Sequence, residues 1–270
     1  MFAKGKINRL AVAVLMVVMA GYIYTSIPVV EAADTAEVYV VKHTEGNSLG
    51  KYDYSYDQNG MIVKKKNLES GDSFLQKLET RKYKNGLMTE SYNVWPSMKK
   101  GKQDVAVVKY SYDKRERAAS YTSNYVSYFS SGKSVSDVEG AYYYNKKNQL
   151  IRVVMDRKTS DGKTEKYIYK YKYNKKGLPT EVNKNGRITR YEYDEYGNMS
   201  RYIDDGKPCE VTNTYDQNGC LTEYKQSLTL YGTHFDGYLT YEMIEVPAKY
   251  LDEVERQQWD IINGVYNVML

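Results

Sequence analysis

The sequence predicts an all-β fold: a winding, curved antiparallel sheet of β-hairpin repeats with a short C-terminal helical cap. Three observations carry that expectation. A tyrosine-ended turn signature recurs along the chain, the segments before it alternate tyrosine with charged residues, and the composition sets 31 Tyr against 4 Phe and 2 Trp in 270 residues. Tyrosine fits a pleated, half-buried surface, so a chain that draws most of its aromatic area from it leans towards sheet. The length accommodates one large β domain or two smaller ones, and either buries a sizeable core.

The signature reads YSYDQNG from Tyr54, RKYKNG from Arg81, YSYDKRE from Tyr110, YYYNKKN from Tyr142, YKYNKKG from Tyr171, YEYDEYG from Tyr191 and NTYDQNG from Asn213. Its last tyrosines are Tyr56, Tyr83, Tyr112, Tyr144, Tyr173, Tyr193 and Tyr215, about 20–32 residues apart, the spacing of one supersecondary unit per repeat. Asp or Asn opens such a turn by bonding its own backbone, and Gly or Asn accepts the positive φ of a tight hairpin. Asn59-Gly60, Asn85-Gly86 and Asn218-Gly219 fit this best, and Asn148 replaces glycine in the fourth unit. Glu116 breaks the pattern in the third unit and predicts a longer or irregular turn there. Between these turns lie Ser70-Gly71, Lys100-Gly101, Ser131-Gly132, Asp161-Gly162, Asn185-Gly186 and Asp205-Gly206. Two turn classes therefore alternate, one at each end of the strands.

Period-two alternation puts Tyr167, Tyr169, Tyr171 and Tyr173 on one strand face and Lys166, Lys170 and Lys172 on the other. Tyr52, Tyr54 and Tyr56 oppose Lys51, Asp53 and Ser55 in the same way, as Tyr191 and Tyr193 oppose Arg190, Glu192 and Asp194. A half-buried antiparallel sheet requires this separation. The alternation stops after Ile244. Pro247 to Trp259 reads as a short helix, with proline in its first turn and Leu251, Val254 and Trp259 directed inward, covering the open edge of a repeat array.

Lys4, Lys6 and Arg9 precede an apolar run from Leu10 to about Tyr24, followed by Val30-Glu31-Ala32-Ala33, the anatomy of a secretory signal peptide. Residues 1–33 are assigned to that signal, 34–245 to the repeat domain and 246–270 to the helical cap and tail. Cysteine first occurs at Cys209, which argues against lipid attachment at the cleavage site. The expected location is secreted or cell-surface associated, with membrane contact only through the signal segment before cleavage. The formal charge of +5, from 39 Lys+Arg against 34 Asp+Glu, becomes about +3 after removal of Lys4, Lys6, Arg9 and Glu31, too weak to argue for nucleic acid. Export permits a Cys209–Cys220 disulfide. Extended flanking strands would hold the two sulfurs apart, and a bend near Pro208 would bring them together.

Beyond the first half of each signature, Gly86-Leu87-Met88-Thr89, Gly177-Leu178-Pro179-Thr180, Gly186-Arg187-Ile188-Thr189, Gly197-Asn198-Met199-Ser200 and Gly219-Cys220-Leu221-Thr222 share glycine, an apolar residue and a hydroxyl. From about Lys51 to Tyr224, and most clearly after Tyr142, the chain resembles the YD (Rhs-type) repeat family. That resemblance implies a winding antiparallel sheet, used in much larger relatives as a shell or stalk associated with delivered toxins, adhesion or wall surfaces. Some 45 residues follow the last signature, too few for an ordinary toxin domain.

The tyrosine face has two readings. With so little Leu, Ile and Phe, the tyrosines build the core; alternatively Tyr167, Tyr169, Tyr171, Tyr191 and Tyr193 form an exposed strip that stacks on sugar rings. Asp57, Asp194, Asp205 and Asp216 read as turn formers rather than calcium ligands, and the lysine runs at 64–66, 99–102 and 146–147 as solvated guards against edge pairing. His43 and His234 fall in no catalytic or metal-binding motif, so no catalytic residue, metal or cofactor is assigned. The function expected is a secreted, non-enzymatic surface or binding module whose partner is a cell-wall polymer, a glycan or an extracellular protein. Two alternatives are a secreted hydrolase or processing accessory, built on carboxylates between sheet and helix, and an apolar-ligand carrier that uses the curved sheet as a trough.

Overall fold

Strand after strand forms where tyrosine alternates with charge. The computed structural model describes residues 35–46, 50–69, 77–228 and 233–264; the signal segment and Ser70-Gly71 lie outside them. Sixteen strands run through the described residues: β1 (Thr35–Glu45), β2 (Tyr52–Tyr56), β3 (Ile62–Asn67), β4 (Leu78–Lys84), β5 (Leu87–Pro96), β6 (Gln103–Tyr112), β7 (Ala118–Phe129) and β8 (Gly132–Tyr144) make the first half. The second half comprises β9 (Leu150–Thr159), β10 (Thr164–Tyr173), β11 (Pro179–Lys184), β12 (Arg187–Tyr193), β13 (Met199–Asp204), β14 (Lys207–Tyr215), β15 (Leu221–Leu228) and β16 (Thr233–Pro247). A 3-10 turn, Ala248–Tyr250, leads into helix α1, Leu251–Asn263.

Each strand pairs antiparallel with its sequence neighbours, and β1 pairs with β16 from Thr35↔Pro247 to Glu45↔Tyr238, so the sheet closes into a barrel. Closure leaves no strand edge for the helix to cover. Helix α1 instead crosses one mouth of the barrel, which corrects the expected role of the cap.

The two faces of the wall differ sharply. Outward residues carry charge in cross-strand rows: Lys172 and Arg190 flank Glu181 at 2.8 and 3.3 Å, and Arg201 bridges Glu192 and Glu210 at 3.1 and 2.7 Å. Such exposed pairs contribute little stability each but fix strand order and solubility. A lipid-facing barrel needs an outward apolar band, and these charged rows are incompatible with one. Inward residues form the core, with Val108, Tyr121, Tyr142, Val153, Tyr169 and Tyr171 among its buried members.

At the signature end of each hairpin a bulge shifts the register at the last tyrosine, which then faces Ile62, Met88, Ala118, Leu150, Pro179, Met199 or Leu221. A bulge interrupts the backbone ladder, and the next unit repairs it. The hydroxyls of Tyr83, Tyr112, Tyr144, Tyr173 and Tyr193 donate to the carbonyls of Ile62, Met88, Ala118, Leu150 and Pro179 at 2.5–3.0 Å. Tyr241 does the same to Leu221 at 2.7 Å, and Tyr56 to Val41, the register partner of Tyr241, at 2.5 Å. The hydroxyl chain thus runs across the seam. Tyr241 acts as an eighth signature tyrosine, in a unit formed by the first and last strands.

The turn residues work as their chemistry predicts. Asp57 Oδ1 accepts from the N–H groups of Asn59 and Met61 at 2.8 and 3.0 Å, and Asn145, Asn174 and Asp216 repeat the arrangement. The third turn corrects the expectation of irregularity. Glu116 adopts φ +59° and its N–H reaches Asp113 O at 3.0 Å, matching the 3.0 Å bond of Gly60 to Asp57. Arg117 holds this turn through its side chain, and that contact first, then backbone N–H donors, lowers the Asp113 carboxyl from its ordinary 3.8 to about 2. A depressed folded-state pKa stabilises above the ordinary value and is lost as pH falls through the depressed one. The carboxyl resonance of Asp113 is therefore expected to titrate near pH 2, and to return towards 3.8 in Arg117→Ala.

Gly140 has a packing role rather than a turn role. It sits opposite Tyr121 on an inward face, and a Cβ there would lie 1.8 Å from Tyr121 Cε1. Tyr121 is itself packed between Tyr110 and Tyr142, with centroids at 6.3 and 5.6 Å. Gly140→Ala is expected to lower stability by about 1–3 kcal/mol through overpacking, measurable as an earlier midpoint in urea unfolding.

Candidate functional site

The helix seals one mouth through polar contacts aimed at the bulges. Gln258 Oε1 accepts from Val41 N–H at 2.8 Å, Gln257 Oε1 from Ile62 N–H at 3.0 Å, and Asn263 Oδ1 from Met199 N–H at 2.7 Å. Trp259 Nε1 donates to Gly197 O at 3.0 Å. All three accepting amides take backbone groups where the sheet register breaks. Glycine permits close seating on one side, since a Cβ on Gly60 would meet Val246 at 2.5 Å and Val254 at 2.9 Å. The tyrosine chain alters at the unit that receives Asn263. Tyr215 donates to Asp194 instead of the Met199 carbonyl, and Asn213 Nδ2 takes that carbonyl at 3.0 Å.

Below the helix lie charges that face the interior. Arg256 binds Glu253 at 2.8 and 2.6 Å and Asp260 at 2.8 Å. Burial would raise the Glu253 carboxyl, but Arg256 outweighs it and holds Glu253 below the ordinary range, whereas burial dominates at Asp260 and raises it. On the wall, Glu79 and Arg81 pair at 2.5 Å, with side chains only 3% and 18% exposed. Burial pulls the Arg81 guanidinium down, yet Glu79 more than compensates and its pKa is raised. Within the lysine run, Lys64 and Lys66 are exposed as expected, while Lys65 turns inward and sits 4.1 Å from the Tyr52 ring centre. Desolvation lowers the Lys65 pKa.

The five tyrosines singled out from the sequence all point inward but lie at different depths. Tyr169 and Tyr171 are buried, at 3% and 5% exposure, and Tyr191 and Tyr193 are half-buried against the same cluster. Tyr167 lies nearest the mouth opposite the helix, where inward-facing Glu165, Lys184, Arg187 and Lys207 are exposed. Tyr167 donates to Glu165 at 2.9 Å, Arg157 reaches Ser136 at 3.1 Å, and Lys184 Nζ lies 5.3 and 5.4 Å from the Tyr167 and Tyr169 ring centres. The strip is therefore divided into a core portion and a mouth portion, a division invisible to period-two alternation.

The outer wall of β6–β10 bows into a groove of about 720 Å³, bordered by Lys109, Asn124, Asp137, Glu139, Asp156 and Lys158. Glu139 and Asp156 are direct cross-strand neighbours, and Asn124 Nδ2 donates to Asp137 at 2.7 Å. Cys209 and Cys220 are both buried free thiols. The Cys220 thiol is pushed up to about 11, first by burial and then by Asp216. His43 lies outward against Asp53, its Nδ1 2.9 Å from Oδ1.

The RHS Repeat family matches residues 173–207, which run from Tyr173 through strands β11, β12 and β13 and include the Tyr193 bulge. The chain carries a YD-type (RHS) repeat over these residues. Among solved structures, the YD-repeat barrel is similar to a porin-like protein from Bacteroides vulgatus ATCC 8482, at 11% identity and TM-score 0.40, over 75% of this chain and 98% of that one. A porin-like protein from Bacteroides uniformis ATCC 8492 gives 13% identity and TM-score 0.47, over 77% and 96% of the two chains. The TcdB2-TccC3-Cdc42 complex gives 13% and 0.29, covering 71% of the YD-repeat chain and 12% of the larger one. No curated protein matches the sequence.

Proposed function

We propose that this YD-repeat barrel is an exported, non-enzymatic surface module that holds a cell-wall polymer, glycan or extracellular protein. The observation that carries this reading is the commitment of the interior. Signature tyrosines are consumed in unit-to-unit hydrogen bonds and packing, and the helix fills one mouth, so recognition falls to the outer groove and the opposite mouth. Charged rows on the outside suit a protein that works in water beside a surface. Retention of the whole chain on purified wall material, glycans and extracellular proteins tests the proposal, and retention on none of them overturns it.

A second reading, a secreted hydrolase, draws on one feature. Glu139 and Asp156 stand side by side in the groove, and paired carboxylates flank the scissile bond in most glycosidases. Turnover of a wall glycan that Glu139→Gln and Asp156→Asn both abolish would establish this alternative and displace the binding role.

A further inference from the structure

We propose that Lys65 is a nucleophilic amine that captures a small uncharged aldehyde inside the barrel as an imine. This goes beyond the surface-module reading and does not depend on it. Three consecutive lysines lie on β3, and the pleat sends them to different sides of the wall. Lys64 and Lys66 are exposed outside, in register with Ser55 and Asp53, whereas Lys65 points inward between Tyr54 and Glu79. Their strand runs from Ile62, whose N–H bonds Gln257 of helix α1, to Asn67 at the opposite mouth. Lys65 therefore lies two residues inside the open end, half-buried rather than sealed.

The surroundings favour the neutral amine. The Tyr52 ring covers Nζ, with its centre at 4.1 Å, and the carboxylate across the strand, Glu79, is held by Arg81 at 2.5 Å. Burial lowers the Lys65 pKa first, and Arg81 adds to that effect against the pull of Glu79. A lysine desolvated beside another cation is the arrangement that makes an amine nucleophilic near neutral pH. Its Nζ lone pair forms the C–N bond as the carbonyl π pair moves to oxygen, which takes a proton as the nitrogen releases one. Loss of water from this carbinolamine removes the second N–H proton, breaks the C–O bond and leaves C=N; no oxidant or reductant is consumed. Tyr52 and Tyr54 offer ring faces beside the amine, and Glu79 neutralises Arg81, so the carbonyl compound that fits is small and uncharged.

Labelling of the whole folded chain with butanal and cyanoborohydride near neutral pH, read site by site by mass spectrometry, tests the assignment. Hydride from the reagent converts each imine into a stable secondary amine. Exposure alone ranks Lys64 and Lys66 above Lys65. The proposal reverses that order, with Lys65 expected to label faster than either by about 10-fold or more. The ionisable groups around it are Tyr52 and Tyr54 on β2 and Glu79 and Arg81 on β4, with Tyr83 and Tyr110 beyond Arg81. Burial raises all four tyrosines, so they stay neutral and the lysine's own titration sets the profile. Labelling of Lys65 should level off at a lower pH than that of Lys64, because a depressed pKa completes the neutral fraction earlier. In urea the three lysines should agree within about 2-fold, since unfolded lysines share one reference pKa. Lys65→Arg should remove the fast product and leave Lys64 labelling unchanged. Lys64 or Lys66 labelling as fast as Lys65 in the folded chain, or a Lys65 lead that persists in urea, overturns the proposal. Glyoxylate, an anionic aldehyde, favoured over butanal at Lys65 but not at Lys64 would make Arg81 an acid-group anchor and overturn the uncharged class.

Discussion

Tyr173→Ala is expected to lower the unfolding free energy by about 3–5 kcal/mol, the range for deleting a large buried aromatic. Tyr173→Phe should lower it by about 1–3 kcal/mol, because the ring still packs while the Leu150 carbonyl loses its donor inside the wall. The difference separates the two contributions of a signature tyrosine. The ring belongs to its own hairpin, and the hydroxyl, 2.6 Å from Leu150 O, ties that hairpin to the preceding one. Outward Tyr143, 41% exposed, provides the control, and its change to Phe should stay within about 0.5 kcal/mol. Urea unfolding resolves all three, and equal losses for the Phe and Ala variants would remove the hydroxyl chain as an inter-unit tie.

Glu79→Ala should be as damaging, by about 3–5 kcal/mol, for a different reason. It strands the Arg81 guanidinium in a low-dielectric interior, where the nearby Lys65 has the same sign. A joint change, Glu79→Leu with Arg81→Met, should recover most of the loss, because apolar side chains of similar volume often replace a buried pair without penalty. Thermal melts of the two variants against the parent chain check this. A double variant no more stable than Glu79→Ala would mean that the pair supplies packing or hydrogen bonds that an apolar replacement cannot.

The hairpins were readable because each local choice agrees with the global one. Tyr171-Lys172-Tyr173-Asn174 encodes strand alternation, bulge and side-chain-bonded turn within four residues. Glu116 misled because its positive φ is imposed by the closure of the turn around Asp113 and Arg117, against its own preference. Tyr241 was missed as a signature residue because Glu242 follows it, and because its partner strand, β1, lies at the other end of the sequence. The hydroxyl chain has no sequence signal of its own, since each bond joins residues from different units.

The candidate site was harder to read than the wall. Lys65 is indistinguishable from Lys64 and Lys66 until strand register turns it inward. Glu79 and Arg81 sit at the period that would equally describe a wet outer face. Tyr167 and Tyr169 are two residues apart with the same neighbours, and only depth within the barrel leaves one half-buried near the mouth and the other fully in the core.

Pairing of the first strand with the last has a numerical consequence. An open solenoid can gain or lose one unit and remain a solenoid, but a closed ring must keep a circumference that its plug can span, and circumference follows strand number. Duplicating one hairpin here would add two staves to the cask and leave helix α1 too small for the opening, whereas lengthening an arm changes only the height of one stave. Unit length can therefore drift while unit number is locked. Because Thr35 and Pro247 are register partners, a chain that joins these strands and opens at Asn185-Gly186 would preserve the same ring with a different starting point.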